Sequence, residues 1–452
     1  MKDAEKRKQE RTKLFEDIYD GIIPARVPVM GSTTLEFAIQ YAGLPLAETQ
    51  WTLEGMEVAF EKVCQMFPSD QYPIGFFRSP AYLQILGSRS YVMGSNGFLQ
   101  HPEIVPMDPG EYDELIENPI DFYYEKIQPR VYTELDTDPI SRSFIMAQAL
   151  LSVNEYNTAV NAINKKLVEK YGYYVPPQES TGPLIFAPFD YIADWLRGFT
   201  GALTDMKRYP EKVLEACESV LAVQLKAGIP DKPSKYGSTH IPLHMATYMG
   251  DKEFEKFYWP TFSKLLWGLA DAGQPAAITC QNNWMRYLDY LQDLPPGTRI
   301  SFEYGDPQLV KDKLGKKHIL SGFYPIGLLK NGSKQQCIDK AKELLDILAP
   351  GGRYFFKLDK ALISLDSINP ENYRAVLQYV SENATYDNAG EHIAVERTVN
   401  RPTVKVREIK SKYFPSWDEY KERHPNIDPK LEPIIKEKLT NYQKIVSRFA
   451  AH

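Results

Sequence analysis

The chain has 452 residues, 43% hydrophobic and 25% charged, with a formal net charge of −6. This composition excludes global disorder, and the acidic balance argues against nucleic acid as a main partner because phosphate binding needs a basic face. No apolar run approaches the roughly 18 residues of a membrane span, and no apolar segment follows the charged N-terminus, so we expect neither a membrane span nor a signal peptide. The four cysteines lie far apart, which suits a reducing cytoplasm.

The first part of the chain predicts one strand–helix unit followed by a long insertion. Charged residues with apolar positions at helical spacing predict an N-terminal helical segment over residues 1–24. An apolar run at 24–30 predicts a strand, and helices follow at 35–41 and 54–66. Residues 68–175 begin rich in Pro, Gly and aromatic side chains and continue as mostly helical sequence. We therefore expect a helical and loop insertion there that forms one wall of a cleft.

From residue 183 the pattern alternates regularly between strands and helices. Strands are predicted at 184–187, 240–245, 276–280, 299–303, 318–322 and 353–358, with amphipathic helices between them. Such alternation indicates parallel strands with right-handed crossovers, in either an open doubly wound sheet or a closed barrel. No GxGxxG follows a strand, which disfavours a dinucleotide-binding sheet. We predict an α/β fold, a (β/α)8 TIM barrel over 25–395 with N-terminal helical additions and a C-terminal extension, 396–452, on the outside.

Residues 183–380 resemble the uroporphyrinogen decarboxylase superfamily. The clearest similarity lies in KLGKKHILSGFYP at 313–325, GGRYF at 351–355 and NPENYRAV at 369–376, and RVPV at 26–29 is similar to the first strand of that family. The resemblance implies a TIM barrel. It also implies one of two chemistries, which are decarboxylation of porphyrinogen acetates and methyl transfer to or from a corrinoid protein.

Departures from the family pattern narrow these chemistries. The decarboxylases carry an arginine-rich loop after the first strand, and residues 30–36 contain no arginine. They also have a histidine after the last strand, where residues 357–362 of this chain contain none. Metal-dependent methyltransferases carry His-x-Cys and a later Cys, whereas here Ile278 replaces the histidine, Cys280 is kept and Lys360 stands near the place of the second cysteine. The resemblance therefore favours removal of a methyl group from a methylated compound, similar to the methyltransferase I component of O-demethylases.

Polar side chains at predicted strand ends are candidates for catalysis, because the carboxyl ends of barrel strands face the site. His244 is a candidate general acid or metal ligand, the alternative being a core or surface histidine. Glu303 is a candidate proton donor or ligand, the alternative being an ion pair. Asn282 is a candidate to bind the leaving oxygen. The resemblance also implies a zinc ion, with Cys280, His244 and Glu303 as its candidate ligands, and the alternative for Cys280 is a buried thiol.

Substrate-binding residues are predicted near the same strand ends. They are Asp190, Tyr191, Asn283, Trp284, Tyr324 and Asp359. Asn283 has an alternative role as the cap of a following helix. In the aromatic-rich insertion, Arg78, Arg89 and His101 are candidates to orient a carboxylate on the substrate.

Together these features predict a methyltransferase that moves a methyl group from a small compound to the Co(I) corrinoid of a partner protein. An aryl methyl ether is the favoured methyl donor. A homodimer is the default oligomer for such barrels. Two alternatives stay open, which are a decarboxylase of a uroporphyrinogen-like or other small acid and a non-catalytic barrel subunit of a methyl-transfer complex.

Overall fold

The computed structural model describes residues 2–75, 77–396 and 400–450, so residues 397–399 and 451–452 of the predicted extension lie outside it. The chain is a mixed α/β protein. Its strands are β1 (Thr33–Thr34), β2 (Ile74–Gly75), β3 (Val92–Met93), β4 (Leu99–Gln100), β5 (Thr239–Leu243), β6 (Ala276–Asn283), β7 (Arg299–Tyr304), β8 (Ile319–Gly322) and β9 (Tyr354–Phe355).

Helices precede, separate and follow these strands. Before β5 they are α1 (Lys2–Tyr19), α2 (Leu35–Ala42), α3 (Leu46–Thr52), α4 (Met56–Met66), α5 (Pro80–Leu86), α6 (Tyr112–Glu117), α7 (Pro119–Phe122), α8 (Gln128–Val131), α9 (Pro139–Tyr171), α10 (Pro188–Ile192), α11 (Gly198–Arg208) and α12 (Pro210–Gly228). After it they are α13 (Asp251–Glu253), α14 (Trp259–Asp271), α15 (Leu288–Leu291), α16 (Pro307–Leu314), α17 (Ile326–Asn331), α18 (Lys334–Leu348), α19 (Pro370–Asn383), α20 (Trp417–Arg423) and α21 (Glu432–Ala450). None of the helices in the described ranges is long and apolar enough to cross a membrane.

The central feature is a five-stranded parallel sheet in the order β5-β6-β7-β8-β9. Each strand pairs with the next one along the chain, and helices form the connections. This is the alternation that the sequence predicted after residue 183. Because all five strands run the same way, their carboxyl ends lie at one edge of the sheet.

Parallel pairing continues beyond both edges of this sheet. The pairs are Val29–Phe356 beside β9, Thr33–Ile74 between β1 and β2, Gln71–Tyr174, and Thr181–Ser238 beside β5. The strands predicted at 24–30 and 184–187 take part only through single bridges or isolated hydrogen bonds. Pro28, Pro183 and Pro188 explain this, because proline lacks the backbone N–H that a regular ladder needs.

Helix α1 packs at the amino-terminal end of the sheet. Phe15 stacks on Tyr174 with ring centroids 4.3 Å apart and contacts Phe355 of β9 at 5.3 Å. Ile18 and Ile319 belong to the same buried cluster. Apolar packing therefore holds the helical segment against the strand starts.

Buried ion pairs reinforce this end of the molecule. Arg26 donates two hydrogen bonds of 2.6 Å to the carboxylate of Asp70, which also accepts from the backbone N–H of Val29 at 2.8 Å. Arg11 of α1 lies 3.4 Å from the same carboxylate and donates to the carbonyl of Tyr171 at 2.8 Å. Every charge of this group has a partner, so its burial is compensated.

The C-terminal extension runs along the outside of the helices. Arg401 pairs with Asp271 of α14, and further along the chain Lys412 pairs with Glu125. The extension ends in α20 and α21.

Candidate active site

A cluster of polar and ionisable side chains lies at the carboxyl ends of the parallel strands. His244 directly follows β5, Asn282 and Glu303 lie near the ends of β6 and β7, and Asp359 follows β9. Asp194, on a π-helical turn after α10, completes the group. In parallel α/β proteins this edge is the usual position of an active site.

His244 and Asp194 form the closest polar contact of the cluster. The imidazole Nδ1 lies 2.5 Å from the Asp194 Oδ2, and the two side chains are 30% and 19% exposed. Burial tends to lower the pKa of His244, but the hydrogen bond to Asp194 and the negative charges of Asp194, Asp190 and Glu303 outweigh it and raise that pKa above its usual value. With Nδ1 held by Asp194, Nε2 is the nitrogen that can give a proton to a ligand.

Asp190 holds the backbone on which His244 lies. It is fully buried, and its carboxylate accepts from the backbone N–H groups of His244 at 3.2 Å and Met245 at 2.9 Å and from the hydroxyl of Tyr258 at 2.7 Å. Burial, together with the nearby charge of Asp194, raises the pKa of Asp190 to about 7. Asp190 thus fixes the backbone that carries His244 and adds negative charge beside it.

Glu303 and Asn282 meet on the other side of the cluster. A Glu303 oxygen accepts from the backbone N–H of Asn282 at 3.2 Å and lies 3.6 Å from the ammonium of Lys360. Asn282 has a φ of +61°, a left-handed conformation that asparagine tolerates better than most residues. Its side-chain amide donates to the hydroxyl of Tyr248 at 3.3 Å. The structure thus places His244, Glu303 and Asn282 at one edge of the sheet.

Cys280, Trp284 and Tyr324 lie apart from this cluster. Alternation along β6 places Cys280, which is fully buried, on the opposite side from Thr279 and Gln281, and burial raises the pKa of its thiol well above the usual value. Trp284 is buried and donates to the carbonyl of Gln281 at 3.0 Å. The Tyr324 hydroxyl is committed to the carbonyl of Cys337 in α18 at 2.9 Å.

The other predicted substrate residues have local partners. Asn283 accepts from the backbone N–H of Met285 at 3.0 Å, a local turn, and the N-cap position of the helical turn at Met285–Tyr287 belongs to Trp284. Asp359 accepts from the backbone N–H of Ile326 at 3.2 Å, and burial raises the pKa of its carboxyl. Tyr191, next to Asp190, is partly buried, and that burial raises the pKa of its hydroxyl.

The predicted zinc ligands do not form one donor set. In the described part of the chain, no three His, Cys, Asp or Glu side chains come together as a group that could hold a metal ion. Cys280 is buried, and its side chain lies on the opposite face of β6 from those of Thr279 and Gln281. The Nδ1 of His244 is already hydrogen-bonded to Asp194. The zinc ion therefore stays a prediction from the family resemblance, and no step below depends on it.

Aromatic side chains from the insertion stack near His244. The Arg78 guanidinium lies 3.8 Å from the centre of the Tyr91 ring, which stacks on His101 at 4.6 Å. His101 contacts Trp195, the neighbour of Asp194, at 5.8 Å. Burial and the positive charges of Arg78 and His244 lower the pKa of His101, with Asp194 opposing. We name Arg78, Tyr91, His101 and Trp195 the aromatic stack.

The other arginine that was a candidate to orient a substrate carboxylate, Arg89, lies away from the aromatic stack. Arg89 donates to the carbonyl of Arg130 at 3.1 Å and takes no part in the aromatic stack. Sequence reasoning singled out Arg78 and His101 but missed Tyr91 and Trp195.

One residue of the cluster, Asp194, escaped prediction from the sequence. Asp194 lies four residues after Asp190, a helical spacing that puts both carboxylates on one side and was available as a signal.

No protein-family model matches this chain, and no curated protein matches it. The functional conclusion therefore depends on the arrangement of side chains described above.

Proposed function

We propose that the protein is a corrinoid-dependent methyltransferase that takes a methyl group from a small methylated compound, with an aryl methyl ether as the favoured donor. The proposed framework is a closed (β/α)8 barrel. It would consist of the segments 27–34, 70–75 and 174–187 together with the five strands of the sheet. The parallel bridges at both sheet edges support this closure, because each joins neighbouring segments of such a ring.

The observation that carries the proposal is the His244–Asp194 pair at the mouth. Cleavage of an aryl ether leaves negative charge on an oxygen, and proton donation to that oxygen lowers the barrier. The raised pKa of His244 keeps its imidazolium form available near neutral pH. The methyl–oxygen bond breaks, the methyl group passes to the partner's Co(I) corrinoid, which supplies the bonding electron pair, and the proton of His244 Nε2 goes to the oxygen.

Neighbouring residues hold the acid in position and polarise the site. Asp194 fixes the tautomer with Nδ1–H and stabilises the charged ring, as carboxylate partners of histidine do. Asp190 anchors the backbone of His244, and Glu303 adds a further negative charge that favours the protonated ring. The Asn282 amide stands near the rim as a second donor for the substrate.

The rim around this edge suits a protein partner. Exposed aromatic side chains surround the strand ends, with Tyr304 66% exposed, Tyr248 55% and Phe199 38%. Aromatic residues are enriched in protein interfaces. A corrinoid protein docked here would bring its cobalt to the mouth. A homodimer and a cytoplasmic location remain part of the proposal.

The test is methyl transfer to chemically reduced cobalamin from a panel of methoxylated aromatic compounds. We expect the Co(I) absorbance to disappear together with release of the demethylated phenol. His244→Gln should lower the rate by about 100-fold or more, which is the usual size of a general-acid contribution. His392→Gln, at an exposed histidine far along the chain, is the matched control and should keep the rate.

Other outcomes separate the alternatives. Release of carbon dioxide without loss of Co(I) would replace methyl transfer by decarboxylation. Full activity of His244→Gln would remove the proposed acid. Failure of every donor, both with cobalamin and with corrinoid proteins as acceptors, would favour a non-catalytic barrel subunit.

A further inference from the structure

We propose that the exposed side of α9 is a dimer surface, on which a second copy of this chain packs through an antiparallel pair of α9 helices. The inference goes beyond the proposed function, because it assigns a surface to the homodimer and does not depend on methyl transfer. Its first support is a row of apolar side chains that the fold leaves uncovered. Ile140, Phe144 and Leu151 are 72%, 68% and 69% exposed, and Ala147 between them is also exposed. We name these four residues the α9 stripe.

The α9 stripe has the spacing of a helix-packing seam. Its members follow one another at intervals of four, three and four residues, which puts them on one side of a helix. The helix is well formed here, because Asp138 caps its first turn and accepts from the backbone N–H groups of Ile140 at 3.0 Å and Ser141 at 3.1 Å. Single exposed apolar residues are common on protein surfaces, but an aligned row of them marks an interaction site.

The opposite side of α9 is already packed against the rest of the protein. Its buried residues are Ala149, Tyr156, Val160 and Leu167, and α5 packs against this helix. The first half of α9 is therefore apolar on two opposite sides, of which the described chain covers only one. A helix that is apolar on more than one side is normally packed on each of them.

The second half of α9 shows that the outward side of this helix can equally be polar. The positions that continue the spacing of the stripe are polar and exposed, namely Asn154, Thr158, Asn161 and Lys165. Charge follows the same division, because among the fifteen residues 139–153 only Arg142 is charged, in a chain with 25% charged residues. Few charges around a large aromatic side chain are typical of the core of a protein interface, not of a solvated helix side.

The α9 stripe is complementary to itself, which favours a second copy as its occupant. In a two-fold dimer the same surface patch contacts itself, so each pair of residues meets twice. When two α9 helices pair antiparallel around the middle of the stripe, Phe144 of each copy lies opposite the small Ala147 of the other. Ile140 then lies opposite Leu151. Each large ring thus has a small residue to pack on, and all four apolar positions are covered.

The exposed area fits a dimer of modest affinity. Three large side chains with about two-thirds of their surface exposed offer roughly 400 Å² per copy. A standard interface buries about 800 Å² per partner, so the stripe together with the residues beside it reaches the lower end of that class. We therefore expect a dissociation constant of about 1–10 μM.

Sedimentation velocity of the full chain measures the oligomeric state without substrate or corrinoid. Between about 0.1 and 100 μM, we expect the wild-type chain to pass from monomer to dimer. Phe144→Glu puts two charges into the apolar centre of each dimer, so it should weaken association about 100-fold and leave the chain monomeric. Thr158→Glu, on the same side of the helix beyond the stripe, is the matched control and should keep the dissociation constant of the wild-type chain.

A mixed dimer tests the antiparallel pairing. Ala147→Lys places an ammonium opposite Phe144 of the other copy, so this variant alone should also be monomeric. In a mixture of the Ala147→Lys and Phe144→Glu variants, the new ammonium at position 147 faces the new carboxylate at position 144. The second contact of the same dimer keeps its natural residues. The mixture should therefore associate about tenfold or more tightly than either variant alone, and different fluorescent labels on the two variants identify the mixed dimer.

Several results would overturn the inference. They are a wild-type chain that stays monomeric at the highest concentration, a dimer that survives Phe144→Glu, or a mixture of the two charged variants that stays monomeric. A monomeric chain that binds a corrinoid protein through Phe144 would assign the α9 stripe to that partner instead. Thermal unfolding checks the variants, and we expect unchanged melting temperatures for the monomers because the altered side chains are exposed. Methyl transfer by a monomer would remove only this inference, and a dimer without methyl transfer would remove only the proposed function.

Discussion

The two ends of the parallel sheet differ in whether their buried charged side chains have partners of opposite charge. At the amino-terminal end, under α1, Asp70 meets two arginines and a backbone N–H, so its charge is balanced. At the carboxyl-terminal end, the carboxylates of Asp190 and Asp194 both lie beside one histidine, His244. Balanced charges stabilise the fold, whereas unbalanced ones cost stability and leave binding capacity for a ligand. The difference separates a structural end from a candidate catalytic end.

The largest effect on stability is expected from Asp70→Asn. The change leaves Arg26 and Arg11, each about one-fifth exposed, without their counter-ion. Breaking a buried pair in this way costs about 3–5 kcal/mol of the free energy of unfolding. Urea denaturation of the wild-type chain and the variant measures this loss of unfolding free energy.

The control for Asp70→Asn is an exposed ion pair. Glu179→Gln removes the partner of Lys232, where both side chains are about two-thirds exposed, and should change the unfolding free energy by less than about 1 kcal/mol. Similar losses of unfolding free energy in the two variants would contradict the conclusion that the Asp70 ion pairs stabilise the fold. The methyl-transfer rate per folded molecule should survive Asp70→Asn.

Asp190→Asn should have a smaller effect on stability but a larger one on activity. An amide nitrogen would face the N–H groups and the hydroxyl that now donate to the carboxylate, and an unsatisfied buried donor costs about 1–3 kcal/mol. The backbone of His244 would move with it, so the methyl-transfer rate should fall. Tyr258→Phe removes only one donor and should cost less in both measurements.

The pH dependence of stability gives a second signature of Asp190. Its pKa is about 7 in the folded chain, against about 4 when unfolded, so the folded state holds this proton more tightly. Its contribution to stability is therefore complete below pH 4 and is lost as the pH rises to about 7. Asp190→Asn should remove this slope from denaturation curves recorded at several pH values, and an unchanged slope would assign it to other groups.

Much of this arrangement was predictable from the sequence, and the limits have physical causes. The strand–helix alternation after residue 183 predicted the parallel sheet, and parallel strands bring His244 and Glu303 to one edge wherever the sheet forms. The direction of Cys280 was not predictable. Its run, AAITC, carries Ala and Thr on one face and Ala, Ile and Cys on the other, so the contrast between the faces is too small to show which one is inward.

Residues contributed by the insertion were the hardest to place. Tyr91 and Trp195 are far apart in the chain, and they meet because the loop-rich segment after β2 folds back over the strand ends. No local pattern specifies such a contact.

The smallest expected effect is a change in the pKa of His244 when a neighbouring carboxylate at the carboxyl-terminal end is neutralised. Transfer of its proton requires the charged ring, so the rate should be constant at low pH and fall as the pH rises through the pKa of His244. Asp194→Asn keeps a hydrogen-bond acceptor at Nδ1 but removes a negative charge, so this pKa should decrease and the fall should begin at lower pH. Glu303→Gln removes a more distant charge and should shift the pKa in the same direction by less. NMR titration of labelled histidine measures the pKa without turnover, and an unchanged value in Asp194→Asn would mean that the carboxylate does not tune the acid.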